Sequence, residues 1–67
     1  ELRNRVAARR SVVAIRDIPV GSVLMREDLA IMRPGTGLPP ADLERVIGAR
    51  TRQEIPGGTV LSADMFE

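Results

Sequence analysis

A block of fourteen residues occurs twice in this chain. Residues 16–29, RDIPVGSVLMREDL, align with residues 53–66, QEIPGGTVLSADMF, at a constant offset of 37. Ile18/Ile55, Pro19/Pro56, Gly21/Gly58, Val23/Val60 and Leu24/Leu61 are identical, and Arg16/Gln53, Asp17/Glu54, Ser22/Thr59, Glu27/Asp64 and Leu29/Phe66 keep or nearly keep their character. Each block follows a strand-like run, over residues 11–16 before the first and 49–55 before the second. The Pro-x-Gly step presets φ at proline and permits positive φ at glycine, so it reads as a turn. The unit is a strand, a tight turn, a short strand around Val-Leu and a one-turn helix. Ser62 is placed to cap that last turn in the second copy, whereas Met25 holds the equivalent place in the first. Neither copy can bury its apolar side alone. The expectation is that they pack face to face about a pseudo-twofold axis, in a mostly β fold with short helices.

Between the copies lies MRPGTGLPP, residues 32–40, with two Gly and three Pro. Pro34 limits its own φ and pushes Arg33 towards extended backbone, and Gly35 and Gly37 allow tight turns that bring a loop close to a ligand. A guanidinium there offers a fork of donors to an acyl oxygen or a carboxylate. Residue chemistry by itself favours a structural use, with Arg33 closing the last carbonyls of the nearby helix or pairing with Asp42. Thr36 adds a hydroxyl suited to a turn hydrogen bond or to a ligand, and Leu38 suits the apolar side of the loop. The helix follows: Pro40 or Ala41 suits its first position, Asp42 and Glu44 suit its positive end, and Gly48 supplies a left-handed stop. Leu43, Val46 and Ile47 share one face.

The length of 67 residues, 43% of them hydrophobic, predicts one small core and marginal stability. No run of about 18 apolar residues exists and no charged-then-apolar leader precedes a small-residue cleavage site, so neither a membrane span nor an intact signal peptide is expected. Cysteine is absent, which removes disulfides, thiol nucleophiles and thiolate metal sites and fits a cytoplasmic location. Histidine is absent too, so the usual general base and the commonest nitrogen ligand for metals are missing. The pairs Glu27/Asp28 and Asp42/Glu44 read as solvated faces, and no catalytic residue or metal ligand is assigned. The basic residues are all arginine. Arg3, Arg5, Arg9 and Arg10 could form a phosphate-binding arm, but Phe66 is the lone aromatic residue and bases would find nothing to stack on, so they read as a polar connector. No nucleic-acid or membrane partner is expected. Met25, Met32 and Met65 read as core or edge fillers.

The order of these motifs over about residues 9 to 66 resembles the SAF domain, also called the antifreeze-like domain, and most closely the C-terminal domain of bacterial sialic acid synthases. The Asp-Ile-Pro-x-Gly-x-x-Leu part is common to many SAF domains. Arg33-Pro34-Gly35-x-Gly37 followed by a Pro-initiated helix is more specific to the synthases, and Arg9-Arg10-Ser11 looks like the end of their interdomain linker. The resemblance implies a β-clip fold for residues 11–67 and a linker over 1–10 from an N-terminal barrel. In such enzymes the barrel condenses phosphoenolpyruvate with N-acetylmannosamine or a related amino sugar, using Mn2+ or Mg2+. The small domain covers the active site of the partner subunit in a domain-swapped homodimer, and Arg33 would contact the N-acetyl group of the sugar. Animal enzymes depart from the Arg-Pro-Gly pattern, so the likeness is to the bacterial type. Two other classes share the Ile-Pro-x-Gly unit. Pilus or flagellar assembly proteins and sugar-acid dehydratases generally lack Arg-Pro-Gly-x-Gly. Ice-binding proteins need a flat, uncharged face, and Arg26-Glu27-Asp28 would break it.

Overall fold

The computed structural model describes residues 9–67. Most of the expected linker, residues 1–8 with Arg3 and Arg5, lies outside the described residues. Its regular core is a two-stranded antiparallel sheet, β1 (Ser11–Ala14) against β2 (Leu29–Met32). Ser11 pairs with Met32 and Ala14 with Leu29. The strand β2 corrects the sequence expectation, which ended the first block in a one-turn helix and assigned no strand after it. The turn is there, a 3-10 helix over Arg26–Asp28, but the chain leaves it directly into extended backbone. Leu29 is buried and Ile31 packs on the core, which is the period-two alternation of a half-buried strand.

The run 49–55 forms no continuous ladder. Its residues pair singly with different partners: Arg50 with Val23, Thr51 with Phe66 and Ile55 with Ile18. The expected Val-Leu strands likewise reduce to single bridges at Val23 and Val60. These bridges and their hydrogen bonds recur at the offset of 37. Ile18 and Ile55, equivalent in sequence, each donate to the other's carbonyl, at 2.7 and 2.8 Å. The bond from Ala14 N–H to Thr59 O recurs as Thr51 N–H to Ser22 O, and Leu61 N–H to Val12 O recurs as Leu24 N–H to Ala49 O. The Pro-x-Gly turns also correspond, with Gly21 at φ 81° and Gly58 at φ 92°, a region that L side chains avoid. Each of these glycines donates its N–H to the neighbouring copy, Gly58 to Ala14 and Gly21 to Thr51.

The core is assembled from both copies. Leu24, Leu61 and Ile55 are fully buried and Ile18 almost so, with Val12, Ala14, Leu29 and Val46 completing the cluster. Pro40–Asp42 forms a 3-10 turn that runs into α1 (Leu43–Val46), after which the chain turns away through Gly48 at φ 94°. Val46 points into the core while Leu43 and Ile47 pack on its edge. Met65 also packs there, but Met25 and Met32 are about half exposed.

Two polar details differ from the sequence expectation. Ser62 does not cap the second one-turn helix (Ala63–Met65); its hydroxyl donates to the Asp64 carboxylate instead. In the first copy the Asp28 carboxylate accepts the Met25 N–H at 3.1 Å and pairs with Arg16 at 3.3 Å, so Asp28 is turned inward rather than lying on a charged face. Thr51, where the first copy has Ala14, is buried; its hydroxyl accepts the Ser22 N–H at 2.9 Å and donates to Pro19 O at 2.7 Å. It ties one copy's turn to the other copy's strand.

Candidate functional site

The loop after β2 is held on three sides. Ser11, the first residue of β1, is completely buried, and its hydroxyl donates to Pro34 O at 2.6 Å and accepts the Gly37 N–H at 3.0 Å. One oxygen therefore closes both ends of the Pro34-Gly35-Thr36-Gly37 segment. Beyond it, Leu38 O accepts the Val12 N–H and Leu38 N–H donates to Leu61 O, each at 3.0 Å, which sews the loop between β1 and the second copy. The third restraint is steric.

Gly35 and Gly37 have ordinary φ values, so neither uses the left-handed freedom of glycine. They are glycines because the backbone is crowded. A Cβ at Gly35 would run into Arg9, and one at Gly37 would run into the Leu61 carbonyl and the Val60 side chain. The loop approaches its own scaffold closely, which keeps it in place without regular secondary structure. The Arg33-Pro34 peptide is cis.

Arg33 leaves the sheet directly after Met32, which pairs with Ser11, so it departs at the end where Arg10 enters. Its side chain is exposed and makes no hydrogen bond or ion pair among the described residues. The structural partner weighed for it, Asp42, faces Arg45 at 3.6 Å instead. Thr36 is exposed and its hydroxyl has no partner among the described residues, so the turn hydrogen bond considered for it is not made. Pro34 is exposed as well, and Leu38 packs its side chain on the core.

Two hollows flank the loop. One of about 470 Å³ is lined by Arg9, Arg10, Gly35, Gly37, Pro39 and Pro40. A smaller one of about 190 Å³ lies between Leu38, α1 and Phe66, with the Asp42 and Arg45 side chains among its walls. Arg33 lines neither. Sequence reasoning placed Ser11 in a strand, and it weighed Arg9 and Arg10 as part of a phosphate-binding arm before reading them as a connector. The one signal for Ser11 was a lone hydroxyl at the head of an apolar run.

No group of three or more carboxylates that could hold a metal ion occurs among the described residues. No helix among them is long and apolar enough to cross a membrane. The chemistry available at the loop is recognition by donors, from a guanidinium on a braced backbone.

This architecture and sequence have known counterparts. The chain is 38% identical over all 67 residues to N,N'-diacetyllegionaminic acid synthase of Legionella pneumophila, of which it covers 19%. It is 33% identical over 58 residues to pseudaminic acid synthase of Helicobacter pylori, covering 87% of the chain and 17% of that protein. The chain thus spans about a fifth of the length of these relatives. Among solved structures, an antifreeze protein like domain from the human N-acetylneuraminic acid phosphate synthase gene superposes with a TM-score of 0.81 at 24% identity, over 85% of this chain and 73% of that one. Flagellar protein FlgA from Thermotoga maritima superposes with a TM-score of 0.76 at 38% identity, over 88% of this chain and 24% of that one. The SAF domain model matches residues 9–67, and with the antifreeze-like fold and the paired Ile-Pro-x-Gly turns already described, the chain belongs to the SAF domain family.

Proposed function

We propose that this domain caps the active site of an enzyme that condenses phosphoenolpyruvate with N-acetylmannosamine or a related N-acetylated amino sugar, giving an acid of the sialic, legionaminic or pseudaminic type. The observation that carries the proposal is Arg33: an exposed guanidinium without a protein partner among the described residues, on a loop whose backbone is braced by Ser11 and by close contacts at Gly35 and Gly37. A braced loop loses little entropy on binding, so its donor can be spent on a ligand. The similarity to two kinds of nonulosonic acid synthase supports the same role. In this reading the N-acetyl oxygen of the sugar accepts from Arg33, with Thr36 beside it, and Pro34, Gly35 and Gly37 shape the loop. The reacting groups and the Mn2+ or Mg2+ ion belong to a barrel elsewhere in the parent protein, reached through the linker over residues 1–10. The parent is then a cytoplasmic homodimer in which each cap serves the partner subunit.

The test is Arg33→Ala in the full-length parent. Loss of one charge-assisted hydrogen bond of roughly 1.5–3 kcal/mol lowers kcat/KM for the amino sugar about 10- to 150-fold. The KM for phosphoenolpyruvate should stay within about twofold, and Arg33→Lys should recover only part of the loss because an ammonium lacks the planar fork. Unchanged sugar kinetics with a clearly lowered Tm would instead make Arg33 a structural residue. A second reading, a SAF domain of a flagellar or pilus assembly protein, is favoured by the likeness to FlgA. A parent that lacks a barrel with carboxylate and histidine metal ligands would decide for it.

A further inference from the structure

We propose that the hollow beside the Arg33 loop is a binding site for a small oxyanion, a carboxylate or a phosphate group, held by the guanidiniums of Arg9 and Arg10 over the backbone of Gly35. The site uses side chains other than Arg33 and is independent of any sugar contact there.

Arg9 and Arg10 are both exposed, line the hollow together, and make no ion pair or hydrogen bond among the described residues. No carboxylate lines it. The acid closest in sequence to Pro40, Asp42, is engaged by Arg45. Two consecutive positive charges on one wall repel each other, and an anion between them relieves that repulsion. Each guanidinium presents a planar fork that matches the two oxygens of a carboxylate or phosphate.

Gly35 and Gly37 contribute bare backbone to the lining. Side chains at 35 and 37 are excluded by Arg9 and by Leu61, and the N–H of Gly35 donates to no protein acceptor among the described residues. Pro39 and Pro40 stiffen the rest of the lining. A volume of about 470 Å³ admits a small molecule. A nucleic-acid backbone is a poorer fit, because no aromatic ring lines the hollow for bases to stack on.

The experiment is an amide and arginine Nε–H NMR titration of the 67-residue chain with inorganic phosphate, and separately with pyruvate, at an ionic strength held constant with chloride. Saturable shifts at Gly35, Arg9 and Arg10 are expected, with half-saturation of about 1–10 mM, the range of a few charge-assisted bonds in a solvent-open site. Whether phosphate or pyruvate saturates at the lower concentration identifies the group preferred. The double variant Arg9→Gln, Arg10→Gln should raise half-saturation at least about tenfold, while Arg52→Gln, away from the hollow, changes it less than about twofold. If the double variant loses spectral dispersion, Arg10→Gln alone is used, with an expected rise of at least about threefold. Shifts that stay linear, that chloride reproduces, or that survive these Arg9 and Arg10 substitutions unchanged would overturn the proposal.

Discussion

Ser11 shows how much one buried hydroxyl can organise. It is an acceptor for one residue of the loop and a donor to another, and water does not reach it. Ser11→Ala leaves the Pro34 carbonyl and the Gly37 N–H without that partner, at a cost of about 1–3 kcal/mol for each group that stays dry. A loss of 1 kcal/mol lowers Tm by about 4–8 °C in a domain of this size, so the calorimetric midpoint should fall visibly. The loop amides at residues 35–37 should exchange with solvent faster than those of Ile18 and Ile55, whose mutual bonds are untouched. Equal loss of protection at both places would show that Ser11 supports the whole fold rather than the loop. Arg33 is the complementary case, a side chain whose backbone is tightly held while its charged end is not.

The two one-turn helices stand at equivalent positions in the copies and are stabilised by different chemistry. In the first, Asp28 reaches back to the Met25 N–H; in the second, the hydroxyl of Ser62 donates to the carboxylate of Asp64. That hydrogen bond is the main reason the Asp64 carboxyl is held below the usual aspartate range, with smaller help from its own backbone N–H and from the charge of Arg52. Because the folded state favours the ionised form, Asp64 contributes stability above the unfolded-state pKa of about 4 and the contribution is lost as pH falls through the lower folded value. Ser62→Ala should therefore move the Asp64 titration, followed by carboxyl carbon NMR, upwards towards the ordinary aspartate value. Arg52→Gln should move it in the same direction by less. A titration that Ser62→Ala leaves in place would remove the hydroxyl as the cause.

On the scale of the whole molecule, the bonds between the copies make each the other's missing half. Ile18 and Ile55 exchange both backbone hydrogen bonds, and the leucines 37 residues apart in sequence, Leu24 and Leu61, meet in one core. The chain is expected to give a dispersed amide spectrum by itself and to show no turnover of phosphoenolpyruvate, which a product assay checks. It should also leave ice growth unchanged at millimolar concentration. Although Asp28 is turned inward, Arg26 and Glu27 remain exposed beside Met25, and a face with those charges does not match an ordered, uncharged lattice. Measurable thermal hysteresis would show that the face is flatter than its charges imply.

The repeat, the Pro-x-Gly turns and the left-handed stop at Gly48 were all legible in the sequence, because each depends on local backbone preference or on apolar spacing. The strand β2, the single-residue bridges of Arg50 and Thr51, and the inward turn of Asp28 were not, since each exists only where a distant segment supplies its partner. The same holds at the loop. MRPGTGLPP announces a stiff, unusual backbone, but whether its glycines serve positive φ or close approach depends on Arg9 and Leu61 lying against them. Local chemistry determined where the chain turns and what it can offer. Only the tertiary structure decided that a serine at the head of β1 would hold the loop, and that two arginines from an apparent connector would share a hollow with it.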